Sequence, residues 1–200
     1  MYGSLSLESA DSFNENSKYA PRNPYSASKA ASDLLVKAYV NTYNVRATIS
    51  NCGNNFGPNQ HPEKLIPKTI LSALSGKTIP VYGDGKQVRD WVFAEDHCIA
   101  LDLILKKGRL GETYLVSSKS EFSNLELVEK ILDMLSVERS LIRFVKDRPG
   151  HDVRYSMNPE KIETELGWKP EFSFGEAMKM TVEHYKANLE KYLGKMNSAT

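Results

Sequence analysis

Two hundred residues, 40% hydrophobic and 26% charged, suffice for one globular domain or for one domain and part of another. The 26 basic and 25 acidic residues leave a net charge of +1, which argues against a nucleic-acid footprint or a general attraction to membrane surfaces. No apolar run approaches the ~20 residues of a membrane span, and no basic segment followed by an apolar core marks a signal peptide.

Met1 to Ser4 reads as the end of a buried strand running into a loop, and residues 3–24 as a polar, proline-containing loop. From Tyr25 to Tyr43, Ala30, Leu34 and Ala38 recur at helical spacing, and Pro24 stands where proline suits a helix start. Val45 to Cys52 is β-branched and predicts a strand, and Asn54, Asn55, Gly57, Pro58 and Pro62 then predict a loop. A helix over Glu63–Leu74 follows, then strands at Thr78–Tyr82 and Val88–Phe93 around the turn Gly83-Asp84-Gly85. Ala94–Lys107 predicts a helix ended by Gly108, and Glu112–Val116 a strand. Ser123-Asn124-Leu125-Glu126 has capping-box spacing and opens a helix through Leu135. A strand at Ile142–Val145 precedes a helix with Asn158 at N-cap, Pro159 at N1 and Gly167 as its stop. A second capping box at Ser173–Glu176 opens a last helix to about Leu193, with 191–200 expected to be a frayed tail.

Alternating helices and apolar strands argue an α/β fold. Cys52 and Cys98 lie in apolar settings and read as buried, reduced thiols of a cytosolic protein; the four histidines lack ligand spacing, so no metal site is expected.

Tyr25-Ser26-Ala27-Ser28-Lys29 places a phenol and an ammonium one helical turn apart, on one face. A lysine cation held there stabilises a tyrosinate and makes it a usable general base. Taken alone, the pentad is better explained as an ordinary exposed pair; the rest of the chain overturns that. None of the twelve glycines is spaced as a dinucleotide-binding βα turn after an apolar strand.

The segments YSASKAASDLLV, NCGNNFGPNQHPEKLIP, PVYGDGKQVRDWVFAEDH, GETYLV, DRPGHDVRY and ELGWKP resemble the dTDP-glucose 4,6-dehydratases, within the extended short-chain dehydrogenase/reductase superfamily. The resemblance runs from Met1 to about Asn188, and HPEKLIP with DRPGHD is its most specific part. It implies an NAD-dependent hydro-lyase. The tyrosinate removes the sugar 4-hydroxyl proton while C4 gives its hydride to NAD, water leaves across C5 and C6, and the hydride returns to C6. It also implies an Asp-Glu pair after a Thr, just before a Val-Tyr-Gly whose place Met1-Tyr2-Gly3 takes. The acid, the base and the glycine-rich loop are therefore expected upstream of residue 1, and residues 1–200 alone are expected neither to turn over nor to be well soluble.

The expected architecture is a partial Rossmann-like, doubly wound parallel sheet lacking its N-terminal cofactor half, with a smaller C-terminal α/β substrate-binding part. Residues 1–60 would be the C-terminal portion of the NAD-binding domain, and 61–190 mainly the nucleotide-sugar part, with some strands and helices returning to the sheet.

By resemblance, Tyr25 is the base, and Lys29 lowers its pKa and binds the nicotinamide ribose. Asn54 would contact the sugar and Asn55 the cofactor, although both also fit a turn. Lys64 and Leu65 would meet the sugar nucleotide, with a solvated helix residue as the alternative for Lys64. Pro80, Val81 and Tyr82 would line the base-binding cleft. Arg89 would pair with the diphosphate, or otherwise with Asp90 or Glu95. Asn124 would cap its helix or reach the ligand. Asp147, Arg148 and His151 lie in a Pro-Gly loop of the type that presents binding groups. The partner is dTDP-glucose, the compartment cytoplasmic, and the full-length family a homodimer. Two alternatives stand beside this reading: a non-catalytic nucleotide-sugar-binding module, and a related UDP-sugar epimerase or decarboxylase.

Overall fold

Asn23 and Pro24 start the first helix of the computed structural model, which describes residues 1–197. The Asn23 side chain accepts the Ser26 N–H at 2.9 Å, and α1 (Pro24–Tyr43) runs until Asn44 turns left-handed at φ 53°. The chain continues through β1 (Ile49–Cys52), β2 (Asn54–Phe56), α2 (Leu65–Leu74), β3 (Ile79–Tyr82), β4 (Val88–Phe93), α3 (Ala94–Lys107), β5 (Thr113–Val116) and β6 (Glu121–Ser123). Then come α4 (Asn124–Leu135), a 3-10 turn at Arg139–Leu141, β7 (Ile142–Val145), β8 (Arg154–Tyr155), α5 (Glu160–Leu166), α6 (Phe174–Ala187) and α7 (Leu189–Asn197). The expected α/β class is what the chain adopts.

These elements form two compact units, each assembled from three stretches of chain. The first comprises Met1–Asn55, Val88–Glu121 and Pro149–Glu171. In it β1 and β5 pair in parallel, Ile49 opposite Thr113 and Cys52 opposite Val116. β4 is central to a sheet ordered β2–β4–β6, with β8 parallel to it. Val92, Ala100, Ile104, Tyr114, Val116, Ile162 and Trp168 form its core. Helix α3 carries Glu95 and Asp96 in its first turn and Lys106 and Lys107 in its last, matching its dipole. Gly108 caps it by donating its N–H to the Ile104 carbonyl at 2.9 Å, and a Cβ there would collide with the same oxygen, so glycine alone fits.

The long segment before α1 is held by specific contacts. Leu5 bridges to Arg154 and Phe13 to Met157, and the Arg154 guanidinium donates to the carbonyls of Ser9 and Asp11 while pairing with Glu121. Tyr2, Leu115 and Met157 form a second small core beneath it, with Phe13, Tyr19 and Tyr155 packed around them.

The second unit comprises Phe56–Gln87, Phe122–Arg148 and the chain from Phe172 onward. β3 and β7 pair in parallel over a core of Ala73, Ile79, Val81, Val128 and Leu132. Both capping boxes form, Ser123 with Glu126 on α4 and Ser173 with Glu176 on α6. Tyr185 donates to the Gln60 carbonyl at 2.7 Å and Tyr192 to Asn59 Oδ1 at 3.0 Å, so α6 and α7 hold the loop that leads to α2.

Several expectations are corrected. The strand expected from Val45 begins only at Ile49, where pairing with β5 begins. Residues 54–56, expected as loop, form the short strand β2 because β4 pairs with them. Asn158 accepts the Glu160 N–H just outside α5, leaving Pro159 as the cap residue. Cys98 is exposed on the outer face of α3, not buried; both thiols are free. The single last helix is two, because the Asn188 side-chain amide takes the His184 carbonyl and breaks the run. The frayed tail expected from 191 is helical to Asn197, and 198–200 lie outside the described residues.

Candidate active site

Helix α1 buries only Ser26, Ala30 and Asp33, so its Tyr25 and Lys29 project from one face into the open. Tyr25 is 74% exposed and its hydroxyl has no hydrogen-bond partner among the described residues. Ser28 Oγ turns back onto the Tyr25 carbonyl at 2.8 Å, which tightens the turn carrying the pair.

The end of β1 lies alongside. Cys52 is pushed up from its ordinary range chiefly by burial, while the nearby Lys29 charge pulls it down. Asn55 Nδ2 donates to Cys52 Sγ at 3.2 Å. Asn54 faces outward on β2. Behind this turn sits Asp90. A Cβ on Gly53 would fall 2.8 Å from both the Asp90 carbonyl and its Oδ2, so only glycine lets the strand end approach so closely. The Asp90 carboxyl is pushed up to about 6, first by burial and further by Glu121.

The Arg89 guanidinium donates to the carbonyls of Val88 at 2.7 Å and Asp152 at 2.8 Å, bracing the segment that carries His151. His151 itself is half-buried.

The second unit gathers four more candidates. The Arg148 guanidinium lies 4.3 Å over the Tyr82 ring. Asp147 Oδ2 accepts from Gln87 Nε2 at 2.9 Å, and Gln87 Oε1 receives the Asn124 amide at 3.4 Å. Gln87 is thus the hub that connects Asn124 to Asp147, and it was not singled out in the sequence although it lies within PVYGDGKQVRDW. Its signal was the turn Gly83-Asp84-Gly85: both glycines take positive φ, at 60° and 74°, and fold the strand ends together. Pro80 shares the Tyr82 side of β3, whereas Val81 is 1% exposed and its side chain belongs to the core. Lys64 stands at the N-terminal cap of α2, paired with Glu63, and Leu65 packs partly on the core; neither joins the Gln87 cluster.

Sequence reasoning also missed Asp33, Asn51 and Tyr19, which form a buried hydrogen-bonded group beneath α1. Asp33 was visible as the last polar residue of YSASKAASD at helical spacing from Tyr25. Nothing in a single sequence announces its partners.

The family model described as GDP-mannose 4,6 dehydratase matches residues 1–181. A protein named dTDP-glucose 4,6-dehydratase from Xanthomonas campestris pv. campestris is 48% identical over 197 residues, covering 94% of this chain and 56% of that protein. Another so named, from Haemophilus influenzae, is 48% identical over 199 residues, covering 94% of this chain and 59% of its own. Among solved structures, the dTDP-glucose 4,6-dehydratase DesIV of Streptomyces venezuelae, crystallised with NAD and TYD bound, superposes with a TM-score of 0.92 at 46% identity, over 96% of this chain and 58% of that one. The chain thus spans somewhat more than half the length of the relatives it matches. With the family model covering nearly all of it and relatives close to half identical, the chain belongs to the GDP-mannose 4,6 dehydratase family.

Proposed function

We propose that this chain carries the tyrosine–lysine pair and nucleotide-sugar contacts of a dTDP-glucose 4,6-dehydratase, which forms dTDP-4-keto-6-deoxyglucose and water. One observation carries the reading: a Tyr25 hydroxyl unpartnered among the described residues, one helical turn from an exposed Lys29, on a helix start of a chain 48% identical to proteins of that name. The residues present fit the nicotinamide-ribose end of NAD, since the Lys29 charge acts on Cys52 at the end of β1, the Asn55 amide bonds that thiol, and the Tyr25 phenol stands one turn before Lys29 on α1. When bound, NAD supplies the transient hydride acceptor. Tyr25 takes the proton of the sugar 4-hydroxyl, and Lys29 stabilises the tyrosinate and holds the ribose hydroxyls. In the second unit, Arg148 and Tyr82 offer a cation and a ring to the nucleotide, with Asp147 and Asn124 fixed through Gln87.

A cytosolic setting fits the two free thiols. A homodimer is part of the reading, supported by Leu34, Leu35, Tyr39 and Tyr43 exposed along α1.

The test uses the protein at the full length its gene encodes, incubated with dTDP-glucose and NAD, with the alkali-induced absorbance of the 4-keto product as readout. Tyr25→Phe is expected to cut turnover by ~10²–10⁴-fold, with dTDP affinity nearly unchanged. No product from the unaltered protein, or full activity in Tyr25→Phe, refutes the reading.

A further inference from the structure

Lys29 and Asp33 are four residues apart on α1, the spacing at which lysine and aspartate pair across one helical turn. Among the described residues they do not pair. The Asp33 carboxylate, 8% exposed, is turned inward, and its Oδ2 accepts from Tyr19 Oη at 2.8 Å and from Asn51 Nδ2 at 2.9 Å. Asn51 stands on β1, and its amide also donates to Tyr2 Oη at 3.1 Å. The Tyr19 ring leans on Tyr2 with centroids 5.0 Å apart. Burial, and then the hydrogen bond to Asp33, hold the Tyr19 phenol well above its usual range, so it remains a donor. One carboxylate oxygen therefore ties the helix to both the preceding segment and the adjacent strand.

We propose that Tyr19 and Asn51 are positioning residues that hold the Asp33 carboxylate away from Lys29, so that the lysine keeps its charge for Tyr25. The inference rests on the reading of Tyr25 as base and Lys29 as its partner. An aspartate released from Tyr19 swings toward the ammonium one turn away and offsets the field that favours the tyrosinate. The ionisable groups facing Asp33 are Tyr2, Tyr19 and the amino group of Met1, and the Cys52 thiol lies in the field of both Asp90 and Lys29. Asp33 is the carboxylate one helical turn from Lys29 on α1, so its placement sets how much of the lysine charge reaches Tyr25.

The experiment follows Tyr25 ionisation by NMR of the protein at its encoded length, labelled at tyrosine Cζ and free of substrate and cofactor, with the resonance assigned by Tyr25→Phe. Tyr19→Phe is expected to raise the Tyr25 midpoint by about one pH unit, the order of effect of one nearby opposite charge. Tyr19→Phe combined with Asp33→Asn is expected to return it to the wild-type value, since an amide brings no charge to Lys29. Should Tyr19→Phe fail to fold, Asn51→Ser with and without Asp33→Asn puts the same question. A midpoint unmoved by releasing Asp33, or moved and not restored by Asp33→Asn, overturns the proposal. Because the readout needs no turnover, a protein that shows this pattern without dehydrating dTDP-glucose supports the positioning role and refutes only the dehydratase reading.

Discussion

Replacing Asp90 by asparagine removes a buried carboxyl that the first unit holds against its own ionisation. Asp90 is 2% exposed on β4; its Oδ1 accepts the Ser120 N–H at 3.0 Å, and its Oδ2 has no hydrogen-bond partner among the described residues. Burial, with Glu121 adding, pushes its pKa from 3.8 to about 6, against the Ser117 hydroxyl and the Ser120 N–H, which favour the anion. The folded pKa is thus raised, so the unfolded chain ionises first. Stability is unaffected by this group below the unfolded value, falls as pH rises from about 4 to about 6, and stays reduced above that. A rise of about 2 units at ~1.4 kcal/mol each gives a penalty of roughly 3 kcal/mol at pH 7. Asparagine keeps the acceptor for Ser120 but places an unpartnered amide where Oδ2 lies, a cost of ~1–3 kcal/mol that does not vary with pH. Urea unfolding of both proteins at intervals from pH 4 to 8 separates the two effects. The stability difference, variant minus wild type, should climb by roughly 3 kcal/mol across the window and then level off. Carboxylates not coupled to Asp90 titrate alike in both proteins and cancel; Glu121, which is coupled to it, shifts in the same window. A difference that is flat with pH, or that favours the wild type as pH rises, refutes the assignment.

Trp168→Ala should destabilise the first unit by about 3–5 kcal/mol in the same assay, since the indole is 1% exposed and its Nε1 donates to the Asp96 carbonyl. Ser173→Ala should cost about 1 kcal/mol by removing the N-cap of α6, with amide exchange quickening first at Glu176. Arg89→Ala should speed amide exchange through residues 149–155 as well as weaken dTDP binding, because the guanidinium braces the Asp152 carbonyl; unchanged exchange would leave only the binding role. Gln87→Leu should weaken dTDP binding by ~1–2 kcal/mol in titration calorimetry, by releasing Asp147 and Asn124; unaltered affinity would show the cluster to be structural.

The fold was legible wherever a local rule decides an element. Helix α3 and strands β4 and β7 fall where they were predicted, and both capping boxes form, because hydrophobic period, a cap and a stop residue act within a few positions. The misses lie where a distant partner decides. Residues 45–48 have strand chemistry but lie outside the pairing with β5, while Asn54 and Asn55, turn-formers by type, are drawn into a strand by β4. Glu121–Ser123 and Arg154–Tyr155 are too short to show a period and are strands only by their pairing. The interleaved units follow from the same cause. The chain leaves the first unit after Asn55 and re-enters at Val88, and no composition shift marks a crossing made inside or beside a strand.

The candidate site divides along the same line. Tyr25 and Lys29 could be found because helical geometry alone puts them on one face. Val81 could not be sorted from Pro80 and Tyr82 until the pairing of β3 with β7 showed which face is core. Gln87 and Asp33 escaped for a further reason: each acts through hydrogen bonds to residues far along the chain, 60 positions from Gln87 to Asp147 and 18 from Asp33 to Asn51. A sequence displays the residue types a reaction needs, but the groups that hold those residues in place are ordinary Gln, Asn, Asp and Tyr side chains, indistinguishable there from surface polarity. Burial is what separates them. A polar side chain as enclosed as Asp33 or Asn51 must be fully hydrogen-bonded or costly, so its partners are fixed, and through them the face of α1 that carries the tyrosine and the lysine.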